Sequence, residues 1–189
     1  MQKSQANNNN AAVRENLYAL SLIRGVTLLG QVMALLYFTW VQPIGLPVAE
    51  ISFVLSVYAS LTAAIWLRSR RSVPIGDSEF FIHLLADIAF FSILLFFSGG
   101  AGNPFVSYLL IPISIATITL SRGYSIAVAV AALLSYSLLL KYYVAIVAIA
   151  PGHHKAVDNS LHILGMWVNF AISAAIIIYF ISRMAATLK

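Results

Sequence analysis

Residues 80–105 read FFIHLLADIAFFSILLFFSGGAGNPF, an apolar run that ends in three glycines, an asparagine and a proline. About 20 apolar residues cross the hydrocarbon core of a bilayer, so Phe80–Ser98 predicts a membrane-spanning helix. Gly, Asn and Pro are the residues that turns require, and another apolar run follows them at once. The stretch therefore predicts two membrane helices joined by a tight turn.

The same pattern extends along the chain, in which 61% of the 189 residues are hydrophobic and 9% are charged. An ordinary soluble domain is about 25% charged. We identify six runs of spanning length: Gly25–Val41, Leu46–Leu67, Phe80–Ser98, Phe105–Leu120, Tyr124–Ala150 and Leu161–Ser182. Pro112 lies inside the short fourth run, where we expect a kink or a local widening of the helix. The predicted fold is an all-α, polytopic membrane protein with six transmembrane helices.

Lysine and arginine mark alternate ends of these runs, and the net charge of +5 is better explained by topology than by nucleic-acid binding. The marking residues are Lys3, Arg14, Arg24, Arg68, Arg70, Arg71, Arg122, Arg183 and Lys189. The positive-inside rule then places both termini in the cytoplasm and the loop at residues 99–104 outside. We expect a cytoplasmic tail at 1–24, with a disordered asparagine run at 7–10, a membrane domain at 25–183 and a cytoplasmic linker at 184–189.

Four ionisable residues fall inside the predicted spans: Glu50, His83, Asp87 and Lys141. Asp or Lys at the centre of a membrane helix costs about 2.5–3.5 kcal/mol on insertion scales, so such residues face partners or water. His83 and Asp87 share one helix face, either as a structural hydrogen-bonded pair or on a proton path. Lys141 either pairs with Glu50 or extends outward beside two tyrosines.

No residue pattern indicates a catalytic or metal site. The chain has no cysteine, and His153, His154 and His162 lack carboxylate or thiolate partners at ligand spacing. Nothing in the sequence has the pattern of a hydrolase triad or a nucleotide-binding loop. We therefore expect no enzyme activity from this chain.

The loop GGAGNPF, residues 99–105, supports two interpretations. As a turn, Gly99 or Gly100 takes the left-handed position that ends a helix, Asn103 caps the next helix and Pro104 is its first residue. As a site, the loop amides and Asn103 supply donors to a quinone, while Phe105 with Phe96 or Phe97 forms an apolar wall. Residue chemistry alone favours the turn.

Gly99, Gly100, Asn103, Pro104 and Phe105 match the fixed positions of GGxxNPF, the heptapeptide of the RegB/PrrB family of redox-sensing histidine kinases, which this chain resembles. In that family the motif lies between the third and fourth of six transmembrane helices. The resemblance implies that these five residues bind ubiquinone or ubiquinol, and that the redox state of the quinone pool controls autophosphorylation through the sixth helix. It also implies a homodimer in the bacterial inner membrane.

The family's phosphoacceptor segment, ATP-binding domain and redox-active cysteine are not found in these 189 residues. We therefore expect this chain to be the sensor module of a kinase whose full-length form uses ATP and a cognate response regulator. The alternative hypothesis is a small membrane transporter or channel, with Asp87 and His83 on the path of a proton or solute.

Overall fold

The computed structural model describes residues 2–41, 45–70 and 76–144, together with Trp167, Phe170, Ala174, Ile177 and Ile178. Regular structure in these residues is helical, with no strand among them. The helices are α1 (Gln2–Trp40), α2 (Val48–Ser69), α3 (Asp77–Phe97), α4 (Leu110–Thr119) and α5 (Arg122–Leu139). Two 3₁₀ segments, Gly100–Gly102 and Pro104–Leu109, join α3 to α4. The predicted all-α class is confirmed.

Four of these helices contain a stretch that is long and apolar enough to cross a membrane: Leu20–Trp40, Val48–Arg68, Asp77–Phe97 and Arg122–Leu139. A shorter apolar helix covers Phe105–Thr119. These five segments fall on the first five predicted spans. Most of the sixth, Leu161–Ser182, lies outside the described residues, but its described residues are helical and recur at intervals of three and four, on one helix face.

The chain divides into two compact units, of which the first comprises Met1–Gln42 and Val48–Phe80. Within it, α1 packs along α2 around apolar side chains that include Leu20, Leu55 and Ile65. An ion pair joins the end of α2 to the start of α3, because Arg68 donates from Nη2 to Glu79 Oε2 at 2.8 Å and from Nε to Oε1. Partial exposure limits the stability that this pair adds.

The N-terminal segment departs from the prediction of a disordered tail. Helix α1 is continuous from Gln2, so the predicted domain boundary at residue 24 falls inside it. Neither glycine nor proline occurs between Gln2 and Arg24. Once the apolar part of the helix has formed, each further residue adds a backbone hydrogen bond, which offsets the weak helix propensity of asparagine.

The second unit comprises Pro43–Pro47 and Phe81–Lys189. Helix α4 packs against α5 through small and β-branched side chains, among them Ile113, Ala116, Val128 and Ala132, all of which are fully buried. Aromatic contacts attach α3 to this pair: Phe81 lies 5.0 Å from Tyr124 and Phe91 lies 6.0 Å from Tyr108, between ring centres. These contacts place the loop after α3 beside the start of the fourth span.

The fourth span is short, and its 3₁₀ segment lengthens it. Ten α-helical residues cover about 15 Å at 1.5 Å per residue. Six 3₁₀ residues add about 12 Å at 2.0 Å per residue. The two together approach the hydrocarbon thickness of about 30 Å.

Pro112, where a kink or widening was predicted, lies within the α-helical part of the span, and the irregular part is the tighter 3₁₀ segment before it. Leu110 N–H bonds to Ser107 O, a 3₁₀-type bond, and α-helical bonding begins only at Leu110. Pro112 is buried in the first turn of α4, where its missing amide hydrogen costs little.

Helix α5 ends at Leu139, well before the predicted end at Ala150. Leu140 and Lys141 form a turn, and residues 142–144 are not helical. The amide of Val144 donates to Phe96 O at the end of α3, at 2.8 Å. This tertiary hydrogen bond competes with continuation of the helix, and the aromatic residues Tyr142 and Tyr143 suit an extended backbone.

Candidate functional site

The loop after α3 reverses its direction at two glycines. Gly99 has φ 99° and ψ 8°, and Gly100 has φ 66°. Among the described residues, these are the only two with positive φ. A side chain in this left-handed region is strained, so both motif glycines are explained by backbone conformation.

Asn103 fastens this loop at both ends. Its Nδ2 donates to Ser98 O at 2.7 Å and to Ser98 Oγ at 2.8 Å. Its Oδ1 accepts a hydrogen bond from the Phe105 amide at 2.8 Å and so caps the following 3₁₀ segment, which opens with Pro104. Asn103 therefore ties the end of α3 to the start of the fourth span, as the turn interpretation predicts.

These bonds determine what Asn103 can offer to a ligand. An asparagine amide has two donor hydrogens, and both already point at Ser98. A quinone carbonyl would have to displace one of these bonds in order to accept from Asn103. Its role in this geometry is to position the loop. Ser98 accepts both of these hydrogen bonds. The sequence did not predict this role, because serine is common at helix ends.

Phe105 is the motif side chain that faces outward. It is 38% exposed, and its ring centre lies 5.4 Å from that of Tyr108. Tyr108 in turn contacts the buried Phe91 of α3. The predicted partners Phe96 and Phe97 instead pack edge-on against each other, at 5.2 Å. The aromatic wall beside the loop is thus formed by Phe105 and Tyr108, and the residue three positions after the motif was missed.

The loop glycines differ in the space around them. A Cβ atom on Gly100 would lie 2.5 Å from Tyr143 Cβ and 3.0 Å from Leu139 O. A Cβ atom on Gly102 would have no heavy atom within 4 Å, and Gly102 is exposed. The loop backbone is therefore covered at Gly100 and accessible at Gly102.

The intramembrane polar residues fall into distinct surroundings. Asp87 is 3% exposed and His83 lies one turn before it on α3; each has an interaction partner. Glu50 is exposed in the first turn of α2, where a carboxylate is favoured by the helix dipole. Lys141 lies in the turn after α5, exposed, with Nζ 5.3 Å from the centre of the Tyr142 ring. Lys141 thus lies beside Tyr142, as one of its two predicted alternatives has it, while its orientation in the membrane and the transport hypothesis for His83 and Asp87 stay predictions.

A buried arginine was placed wrongly by the sequence analysis. Arg24 was expected to precede the first span, whereas the apolar stretch begins at Leu20 and Arg24 is 1% exposed within it. Its guanidinium carbon lies 5.8 Å from the ring centre of the buried Tyr58 on α2. Aromatic faces attract a desolvated cation. Arg24 is therefore buried within the first unit, four residues after the apolar stretch begins.

Residues 2–187 match the family model of the PilS-like transmembrane domain, a six-helix membrane domain of the sensor-kinase type. Among curated proteins and solved structures, no chain matches this sequence. The family match includes the loop, the five described helices and the sixth predicted span. It supports a multi-pass membrane protein. The chain therefore belongs to the PilS-like transmembrane domain family.

Proposed function

We propose that this chain is the membrane sensor domain of a two-component histidine kinase and that it binds ubiquinone or ubiquinol at the loop between α3 and α4. The family match supports a sensor-type domain. The exposed ring of Phe105, next to Tyr108 and a loop held open by glycine, is the observation that carries the ligand proposal. The resemblance of residues 99–105 to the RegB/PrrB heptapeptide supplies the ligand class.

In this proposal the five motif residues have different roles. Phe105 and Tyr108 stack on the quinone ring, because aromatic faces favour offset contacts at this spacing. The carbonyl groups of the quinone meet backbone amides near Gly102, where no side chain covers the chain. Gly99, Gly100 and Asn103 set the loop conformation, and Pro104 starts the next segment. The site thus binds through aromatic and backbone groups.

Sensing in this proposal is a shift of population and needs no turnover. A ligand biases two conformations only by its differential affinity for them, so ubiquinone and ubiquinol must bind the two states unequally. The bias passes through the sixth span to control autophosphorylation in a kinase region. The intact protein acts as a homodimer in the bacterial inner membrane, with ATP and a response regulator as its further partners.

The proposed orientation follows the distribution of basic residues. Lysine and arginine on alternate connections place both termini in the cytoplasm. The loop after α3 and residues 142–144 then lie together on the outer side, since Val144 bonds to Phe96 at the end of α3. A quinone in the outer leaflet can reach this edge directly from the lipid.

Binding of a short-chain ubiquinone to the purified chain in lipid nanodiscs tests the proposal. Wild type is expected to bind, and Phe105→Ala is expected to lower the affinity by about tenfold, since aromatic pairs contribute roughly 0.5–1.5 kcal/mol. Phe53→Ala is the matched control, because Phe53 is also an exposed phenylalanine, on α2. Equal affinities of Phe105→Ala and wild type, measured by equilibrium dialysis, would reject the site.

A further inference from the structure

The segment after α5 covers the loop that the proposed ligand would occupy. Val144 N–H donates to Phe96 O, which fixes the segment against the end of α3. Tyr143 sits over Gly100 so closely that a Cβ atom there would lie 2.5 Å from Tyr143 Cβ and 2.6 Å from Tyr143 Cγ. The contact is between backbone and the base of a side chain, where neither partner can yield by rotating. Movement of the backbone at Gly100 must therefore displace Tyr143 or the end of α5.

The end of α5 also contacts the sixth predicted span, through Tyr136 and Ser137, which come shortly before Tyr143 in the chain. Trp167 Nε1 donates to Ser137 Oγ at 3.1 Å. The ring of Phe170 lies edge-on to Tyr136, with 5.1 Å between the centres, and both residues are buried. Ala174 follows one turn later and is also buried. One short stretch, Tyr136–Tyr143, thus contacts both the loop and the sixth predicted span.

We propose that Tyr143 and Gly100 form a latch that couples the conformation of the loop to the packing of the sixth span, through the end of α5. The proposal deepens the proposed function, on which its ligand part rests, by naming how a change at the loop reaches the output helix. A quinone at Phe105 and Gly102 alters the loop, the latch shifts, and the contacts of Tyr136 and Ser137 with Phe170 and Trp167 change with it.

Three features make this stretch able to switch. Gly99 and Gly100 hold positive φ angles, and glycine can pass between positive and negative φ at a lower steric cost than other residues. Helix α5 ends in a turn at Leu140 and Lys141, so Tyr143 is not held by helical bonds. The buried hydroxyl of Tyr136 has no hydrogen-bond partner among the described residues. An unpaired buried hydroxyl costs the observed packing its desolvation penalty, and an arrangement that pairs the hydroxyl would recover part of that free energy.

A tryptophan reporter tests the latch without any ligand. The chain has three tryptophans, so Trp40→Phe and Trp66→Phe leave Trp167 as the single emitter. In nanodiscs, Ser137→Ala removes the acceptor of the Trp167 hydrogen bond and serves as the reference shift in emission maximum. Gly100→Ala and Tyr143→Ala are expected to shift the emission in the same direction. Tyr143 is exposed, so its variant retains the fold even if Gly100→Ala fails to fold.

Matched controls separate the latch from general effects. Gly123→Ala changes an exposed glycine with open space at the start of α5, far along the helix from the latch, and Tyr142→Ala removes the neighbouring exposed tyrosine. Both are expected to leave Trp167 emission unchanged. Unchanged emission in both Gly100→Ala and Tyr143→Ala overturns the latch, as does an equal shift in the two controls.

Equilibrium dialysis with short-chain ubiquinone keeps the two proposals distinguishable. A shift of Trp167 emission in the latch variants, with no quinone binding by wild type, retains the latch and rejects the quinone site. Quinone binding without any emission shift in the latch variants retains the site and rejects the latch. Added ubiquinone is further expected to change hydrogen exchange at the Val144 amide in wild type, and loss of that response in Tyr143→Ala supports transmission through the latch.

Discussion

The two connections that flank α4 reverse the chain in very different ways. After α4, only Leu120 and Ser121 separate Thr119 from Arg122. The hydroxyl of the buried Ser125 supports this turn by sharing its one donor hydrogen between Ala116 O at 3.0 Å and Ser121 O at 3.1 Å. Before α4, the reversal takes two glycines with positive φ, a 3₁₀ turn, an asparagine bonded at both ends and a 3₁₀ segment.

The short turn shows how little a helix reversal requires in this protein. The long connection contains more structure than a reversal needs, and that excess produces an exposed Phe105 and an open backbone at Gly102. Part of the excess lengthens the short fourth span toward the bilayer thickness. The exposed Phe105 ring and the open backbone at Gly102 are not needed to reverse the chain, which is why the ligand proposal rests on this end of α4.

The largest expected loss of stability comes from removing the hydrogen bonds of Asn103 in the long connection. Asn103→Ala deletes three hydrogen bonds and leaves the Phe105 amide without its cap, so the free energy of unfolding should fall by about 2–3 kcal/mol. Unfolding by SDS titration in mixed micelles, followed by circular dichroism, measures it. Quinone affinity should fall as well, because the loop no longer holds its conformation.

Ser125→Ala is the matched change at the short connection. It should cost at most about 1 kcal/mol, because Ala116 O and Ser121 O keep their backbone donors, Leu120 N–H and Ser125 N–H. Quinone affinity should be unaffected. If Asn103→Ala proves no more destabilising than Ser125→Ala, the long connection is not fastened as described and the contrast between the two turns fails.

The sequence predicted what local chemistry controls at these connections. Glycine, asparagine and proline have conformational preferences of their own, so the left-handed positions and the cap of the fourth span were predicted in place. Ser98 was missed because a serine is common at the end of any helix. Tyr143 was missed because its role depends on contact with Gly100, which is distant in the sequence. The early end of α5 was also not predicted, because the hydrogen bond from Val144 to Phe96 joins residues that are far apart in the sequence.

The membrane interior was predicted less completely, for a related reason. Hydropathy located Asp87 inside a span, and the structure buries it. Hydropathy also set the first span to begin after Arg24, since an arginine next to an apolar run ordinarily marks its end. Burial of Arg24 against Tyr58 depends on how α1 packs along α2, which no single-helix pattern contains.

A smaller loss is expected at the left-handed position of the long connection. Gly99→Ala forces a side chain to adopt φ near 99°, which costs about 1–2 kcal/mol. The SDS titration that measures Asn103→Ala applies here too. Gly99→Asn is the informative companion, because asparagine tolerates positive φ better and should recover part of the loss. Equal stability of Gly99→Ala and wild type would show that the loop does not require this conformation.

The smallest effect should have the opposite sign and lies at the short connection. Gly123 is exposed in the first turn of α5, and a Cβ atom there would have no heavy atom within 4 Å. Alanine reduces the backbone freedom of the unfolded chain without strain in the helix, so Gly123→Ala should raise the free energy of unfolding by about 0.5 kcal/mol. Two glycine-to-alanine changes at the two ends of α4 then move stability in opposite directions, because only the glycine at the long connection is required by backbone conformation. A loss of stability in Gly123→Ala would instead show that the short connection also depends on its glycine, and the inference that only the long connection exceeds the needs of a turn would no longer hold.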